Sequence, residues 1–267
     1  MFKKGLFKSA VLVIIIFTTV PGIVHAQEKP ATPAAPSDEE LKRANDPMAS
    51  VKAVNIHNYI VSKLYGLPDQ QANQLIVRYS QPIGPVLLRA SMPFVTSSAS
   101  GVGPTSGLGD FNLFAIYTLP TKTGNKFGIG PNLTAPTGTR DLGSGKWQAG
   151  LSFLAFFAKS RLIQFGSLLQ WQASFAGDED RPEISTLNPQ VFFIWQIGAG
   201  FNLRSTGIWT FNLRNGDYNV PIGLGAGKVI KVGGIVFNIF AEPQFTVLAQ
   251  GLGQPKFQTF VGFNTQF

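Results

Sequence analysis

From about residue 51 onward the chain is written in short stretches where apolar and polar side chains alternate, each closed by a cluster of turn-forming residues. The final stretch is the clearest. Phe257, Thr259, Val261, Phe263, Thr265 and Phe267 fall on one side, and Gln258, Phe260, Gly262, Asn264 and Gln266 on the other. Alternation with a period of two defines a β-strand with one apolar and one polar face. The stretch at 162–175 repeats it, with Phe165, Leu169, Trp171, Ala173 and Phe175 opposite Gln164, Gly166, Gln170, Gln172 and Ser174. The same reading places twelve strands at 51–62, 73–81, 86–95, 108–118, 126–135, 146–158, 162–175, 187–197, 201–211, 217–229, 235–247 and 257–267. The strand at 146–158 is irregular, because Leu154 and Phe156 fall on the face that is otherwise polar.

The links between strands alternate in length. Ile83-Gly84-Pro85, Lys159-Ser160-Arg161, Gly198-Ala199-Gly200 and Val232-Gly233-Gly234 lie in brief turns, whereas the links at 97–107, 136–145 and 176–186 are longer and more polar. Short turns at one end and long loops at the other, over an even number of strands, are the pattern of an up-and-down barrel that crosses an outer membrane. Composition agrees: 23 Phe, 29 Gly and only 13% charged residues suit an outward apolar band, aromatic rims and a bent wall. No segment after the N-terminal apolar run offers the 18 or so uninterrupted apolar residues that a membrane helix requires. The competing arrangement, a soluble lipocalin-like barrel, buries its apolar face inward and has no use for aromatics along both rims. The expected fold is therefore all-β: a transmembrane antiparallel β-barrel of about twelve strands over 51–267. The last strand also resembles the C-terminal assembly signal of bacterial outer-membrane barrels. That resemblance gives Phe263 and Phe267 an assembly role, with outer-membrane lipid and the barrel assembly machinery as partners.

Residues 1–26 read differently. Lys3, Lys4 and Lys8 precede an apolar run at 10–20, and Val24-His25-Ala26 closes the segment. A basic start, a short apolar run and a small residue at the cut define a secretory signal peptide, cleaved after Ala26. Pro21 and Gly22 interrupt the run before it reaches the length of a membrane span. Residues 27–37 are rich in Pro and Ala and read as a linker. Ser37 and Glu40 then have the spacing of a capping box for a short helix over 38–45, which ends before Pro47. The region 27–50 either hangs in the periplasm or plugs the barrel, and the simpler expectation is that it hangs free. The chain has no cysteine, so it carries neither a disulfide framework nor a lipid-modified thiol. These features suit export to the outer membrane of a Gram-negative bacterium. The formal charge of +8 includes the three lysines of the signal peptide; without them 19 basic residues face 14 acidic ones, a net +5. No basic cluster is interleaved with aromatics, so nucleic acid is not an expected partner.

A set of short motifs runs through the barrel region in order: Gly107-Leu-Gly-Asp-Phe-Asn112, Gly128-Ile-Gly-Pro131, Ala135-Pro-Thr137, Leu142-Gly-Ser-Gly-Lys-Trp-Gln-Ala-Gly150 and Ser174-Phe-Ala-Gly-Asp178. Tyr218-Asn-Val-Pro-Ile-Gly-Leu-Gly225 and Lys228-Val-Ile-Lys-Val-Gly-Gly234 follow. Over about residues 45–267 this set resembles the outer-membrane transporter family named for the meta-pathway of phenol degradation, some members of which carry the label neuromedin U. The resemblance implies a barrel that transports small, often hydrophobic compounds. It supplies no catalytic residues and does not define a substrate.

Outside the signal peptide the one histidine is His57, beside Asn55, Asn58 and Tyr59 on the first strand. A hydrolase would have to use it as base; a polar histidine facing a lumen is the commoner arrangement, so no catalytic residue is assigned and no enzyme is expected. Without cysteines or a histidine pair there is no metal site, and no cofactor is expected. Asp178, Glu179, Asp180 and Glu183 sit in a long loop and read as a solvated acidic run rather than a calcium site. The charges on the lumen face are more telling. Arg78 and Arg89 point inward on neighbouring strands, nearly directly opposite one another about a turn centred between Ile83 and Gly84; Arg204 lies at a similar level. Asp110 and Glu242 point inward a few residues further from the short-turn end. A basic belt below an acidic pair is thus expected, either to select solutes in a water-filled lumen or to brace a narrow barrel as a static ion network. The expected activity is passive passage of small, hydrophobic or aromatic molecules, with a non-conducting structural or adhesive barrel as the alternative.

Overall fold

Fifteen strand segments form one antiparallel sheet that closes on itself. The structure is a computed structural model that describes residues 35–98, 103–122, 124–160 and 162–267. The signal peptide and the first part of the linker lie outside the described residues. In chain order the elements are α1 (Asp38–Ala44), β1 (Ala53–Leu64), β2 (Ala72–Ile83), β3 (Val86–Ser97), β4 (Thr105–Leu108), β5 (Phe111–Leu119), β6 (Lys126–Ala135), β7 (Lys146–Phe157) and β8 (Ile163–Gly177). They continue with β9 (Ser185–Gly198), β10 (Phe201–Ser205), β11 (Thr210–Asn212), β12 (Tyr218–Gly223), β13 (Gly225–Val232), β14 (Ile235–Gln250) and β15 (Pro255–Gln266). Three staves of the wall are interrupted. The segments β4 and β5 both pair with β3, β10 and β11 both with β9, and β12 and β13 both with β14. Counted as continuous staves, the wall has the expected twelve strands.

Closure comes from β1 and β15, which pair from Ala53↔Gln266 through Tyr59↔Phe260 and beyond. A closed barrel leaves no row of unpaired backbone groups, which is the condition for crossing hydrocarbon with strands. The faces sort as the alternation requires. Ser152, Gln164, Asn202, Asn238, Glu242 and Gln244 point inward and are each no more than 2% exposed, whereas Leu151, Phe165, Trp195, Ile239 and Phe245 stand on the outside at 45–59%. An apolar exterior over a polar interior is stable where hydrocarbon, not water, bathes the outside. The links β2–β3, β5–β6, β7–β8, β9–β10 and β13–β14 have two to six residues, and those on the opposite rim have four to ten. The wall is tightly coiled at two glycines: a Cβ at Gly130 or Gly150 would lie 1.7 or 1.8 Å from the carbonyl oxygen of Ala115 or Trp171.

Two expectations are corrected here. The β2–β3 register pairs Ile83 with Val86, so the turn is centred between Gly84 and Pro85 and Arg78 lies opposite Ser91 while Arg89 lies opposite Ser80. The arginines are diagonal neighbours, which relieves the direct like-charge contact. The second correction concerns residues 35–50. They do not hang free but sit against inward side chains of β3, β6, β8, β13, β14 and β15, at the end that carries the short turns.

Candidate functional site

The inserted segment begins with α1, a helix of seven residues that is too short to be stable alone in water. Its start is closed locally: the Ser37 hydroxyl accepts from the Glu40 N–H while the Glu40 carboxylate accepts from the Ser37 N–H, a complete capping box. Its end is closed by the barrel. The last carbonyls of any helix lack internal partners, and here Gln164, Gln266 and Asn238 donate to the carbonyls of Lys42, Arg43 and Ala44 at 3.1, 2.9 and 3.2 Å. Asn238 also donates to Asn45 Oδ1 at 2.9 Å. Beyond the helix, Arg89 Nη2 donates to the Pro47 carbonyl at 2.9 Å and Lys126 Nζ to the Met48 carbonyl at 3.3 Å.

Apolar contacts seat the same segment. Ala44 packs with Val229 and Val236, and Leu41 lies against that group. Met48 is buried with Phe114, Ile116, Leu154, Phe156, Leu168 and Phe192. This resolves the irregular alternation of β7: Leu154 and Phe156 face inward because they form the seat for Met48. Opposite them Gly128 leaves the space, since a Cβ there would lie 2.9 Å from the Met48 sulfur. Two ion pairs complete the lock. Glu40 meets Lys231 at 2.6 Å, and Asp46 meets Lys126. The Lys231 ammonium, helped by the Ser37 N–H, holds the Glu40 carboxyl down at about 2. Burial pushes the Asp46 carboxyl up, against the opposing pull of the Lys126 ammonium and the Met48 N–H.

Between this plug and the wall lies a cavity of about 130 Å³, bordered by Asn45 and Pro47 of the plug and by His57, Arg78, Arg89 and Arg204 of the barrel. Arg78 donates to His57 Nδ1 at 2.6 Å. A guanidinium can only donate, so Nδ1 accepts and the proton resides on Nε2, which donates to Asn264 Oδ1 at 2.8 Å. Arg89 spans from Ser80 Oγ at 3.2 Å to the plug carbonyl of Pro47, with its guanidinium 4.8 Å above the Phe114 ring. Arg204 lies 3.4 Å above the Phe240 ring and 3.6 Å from the Glu242 carboxylate. Glu242 is fully buried and accepts from Thr206 N and Oγ1 at 2.8 and 2.7 Å and from Gln244 Nε2 at 2.9 Å.

Of the residues singled out from the sequence, Arg78, Arg89 and Arg204 thus border one cavity, with Glu242 behind Arg204. Asp110 lies elsewhere, at the break between β4 and β5. It accepts from Gly138 N at 3.0 Å, Ser144 N at 2.7 Å and Ser144 Oγ, so it latches the loop 136–145 to the long-loop rim and forms no acidic pair with Glu242. Phe263 faces outward beside Phe237, with ring centroids 5.7 Å apart, and the Phe267 N–H donates to the Lys52 carbonyl at 3.1 Å. Sequence reasoning missed Gln164, Lys126, Lys231, Asn238 and Gln266 as partners of the plug. The signal for it was present in Leu154 and Phe156, apolar residues on a polar face.

A closed antiparallel barrel with an apolar outside, a polar inside and a helix lodged at one end is a membrane-spanning β-barrel of the outer-membrane type. Among solved structures the chain is similar to an outer membrane channel from Pseudomonas putida F1, with a TM-score of 0.62 at 16% identity over 83% of this chain and 99% of that one. It is similar also to the NanC porin, with a TM-score of 0.53 at 9% identity over 81% of this chain and 98% of that one. At such identities the likeness is one of fold. No protein-family model matches the chain, and no curated protein matches it.

Proposed function

We propose that this chain is an outer-membrane channel for small solutes whose short-turn end is closed by its own N-terminal segment. The observation that carries this reading is the plug itself: apart from two small apolar seats at Ala44 and Met48, it is held by polar side chains from six staves, mostly through backbone carbonyls and two ion pairs. Such contacts exchange readily for water, so a segment held this way is suited to leave and return. The barrel likeness to an outer membrane channel and a porin supports passage as the activity. The resemblance to the family named for the meta-pathway of phenol degradation supports small, hydrophobic or aromatic molecules as cargo. Arg78, Arg89, Arg204 and Glu242 are the residues that would select at the inner end. A non-conducting structural barrel is the competing reading, favoured by how completely the plug is bonded. Solute swelling of proteoliposomes separates the two. A chain lacking residues 38–50 should admit a neutral sugar of the size of arabinose much faster than the full chain. A plug-less barrel that folds, yet swells no faster than protein-free vesicles, would reject the channel.

A further inference from the structure

We propose that the cavity behind the plug is a binding site for a small carboxylate with an apolar or aromatic body. The charge balance is the first reason. Three guanidinium groups, Arg78, Arg89 and Arg204, border the cavity. The carboxylates that border or back it are already engaged: Asp46 pairs with Lys126, and Glu242 is occupied by Thr206 and Gln244 and stands 3.6 Å from Arg204. Neither Arg78 nor Arg89 has a carboxylate within salt-bridge distance among the described residues. Like charges gathered inside a protein with too few counter-charges are costly even when hydrogen-bonded, and an anion that accepts from them lowers that cost.

The second reason is independent of the charge count. Arg204 is 7% exposed; its Nε is met only by the Glu242 carboxylate at 3.6 Å, beyond hydrogen-bond length, and its buried Nη1 has no hydrogen-bond acceptor. Buried donors of this kind are rare in folded proteins and call for a partner. The guanidinium lies 3.4 Å above the Phe240 ring, so its position is fixed without an anion and little conformational freedom is lost when one binds beside it.

The rest of the lining decides between an inorganic anion and an organic one. Phe192, Phe240 and Phe260 border the same cavity. Two of these rings are bedded on glycines across the strand pair, Phe192 on Gly166 and Phe240 on Gly262, where a Cβ would lie 2.7 and 2.0 Å from the ring. Phe260 stacks on Tyr59 at 4.4 Å with the planes 1° apart. A lining that combines fixed aromatic rings with guanidinium groups matches a molecule that carries both a carboxylate and an apolar body. The inference deepens the channel reading and rests on it for its biological sense: the anion would be cargo held at the closed end.

Binding is measured without any membrane, so its outcome is separate from that of the swelling experiment. Calorimetric titration of the full chain in detergent with benzoate, benzyl alcohol and acetate supplies the probes. Benzoate should bind, with benzyl alcohol and acetate each at least about tenfold weaker. Arg78→Gln should weaken benzoate by about tenfold, and Arg78→Lys should retain most of the affinity. Heat-dependent gel mobility verifies that each variant is a folded barrel. Benzoate that does not bind, or binds no better than benzyl alcohol, overturns the anion site. Folded Arg78→Gln with unchanged affinity overturns the assignment to this cavity. Acetate binding as tightly as benzoate overturns the role of the aromatic walls.

Discussion

Met48 ties the lumen segment to the wall through an unbranched side chain that fills an irregular hollow between Ile116, Leu154, Phe156 and Phe192. Shortening a buried methionine to alanine removes transfer free energy and leaves a void, typically ~2–5 kcal/mol. In Met48→Ala that loss falls on plug seating and leaves the wall intact. The open fraction should therefore rise by roughly thirtyfold or more, read as the rate of solute entry into proteoliposomes, with barrel melting little changed. An unchanged entry rate would remove Met48 from the lock. The inward direction of Arg78, Arg89, Arg204 and Glu242 was readable from alternation alone, because a period of two fixes faces independently of partners. The contacts of these residues were not. A turn centre misplaced by one residue shifts every cross-strand pair, and it is this shift that moves Arg89 from opposite Arg78 to opposite Ser80.

At the scale of elements, α1 is stabilised from outside itself. Glu40 serves the capping box with one oxygen and Lys231 with the other. Its carboxyl is held at about 2, below the ordinary 4.5, so its contribution to seating is complete above pH 4.5 and is lost as pH falls through about 2. Conductance should accordingly stay low from pH 7 to 5 and rise on acidification toward pH 2. Asp46, pushed up by burial, acts in the opposite sense, so Glu40→Gln is the control that isolates the Glu40 contribution. This variant should show a higher open fraction at pH 7 and a flatter acid response; a full-chain response identical to that of Glu40→Gln would sink the assignment. On the opposite rim Asp110→Ala leaves the N–H groups of Gly138 and Ser144 without their acceptor, at a cost of about 1–3 kcal/mol. The loop 136–145 should then be cut faster by protease with the barrel core intact. Unaltered cleavage would show that the latch is redundant. The helix itself was legible from Ser37 and Glu40, but its place was not: the capping box specifies a helix start, whereas insertion depends on inward groups drawn from six distant staves.

At the scale of the molecule, the strand number and closure followed from alternation and link lengths, because a barrel in hydrocarbon has to satisfy every backbone group within itself. The interior did not follow so directly. Polar inward residues are compatible with water and equally with a peptide segment that offers carbonyls, and apolar inward residues such as Leu154, Phe156 and Phe192 tell the two apart. The central claim is that residues 38–50 close this barrel. Single-channel recording in planar bilayers tests it most directly, by comparing the full chain with a chain lacking residues 38–50, each verified as folded by heat-dependent gel mobility. The full chain should be silent or open only in brief events at neutral pH, and the shortened chain should conduct steadily. Equal steady conductance from both chains, or silence from both, would contradict the account.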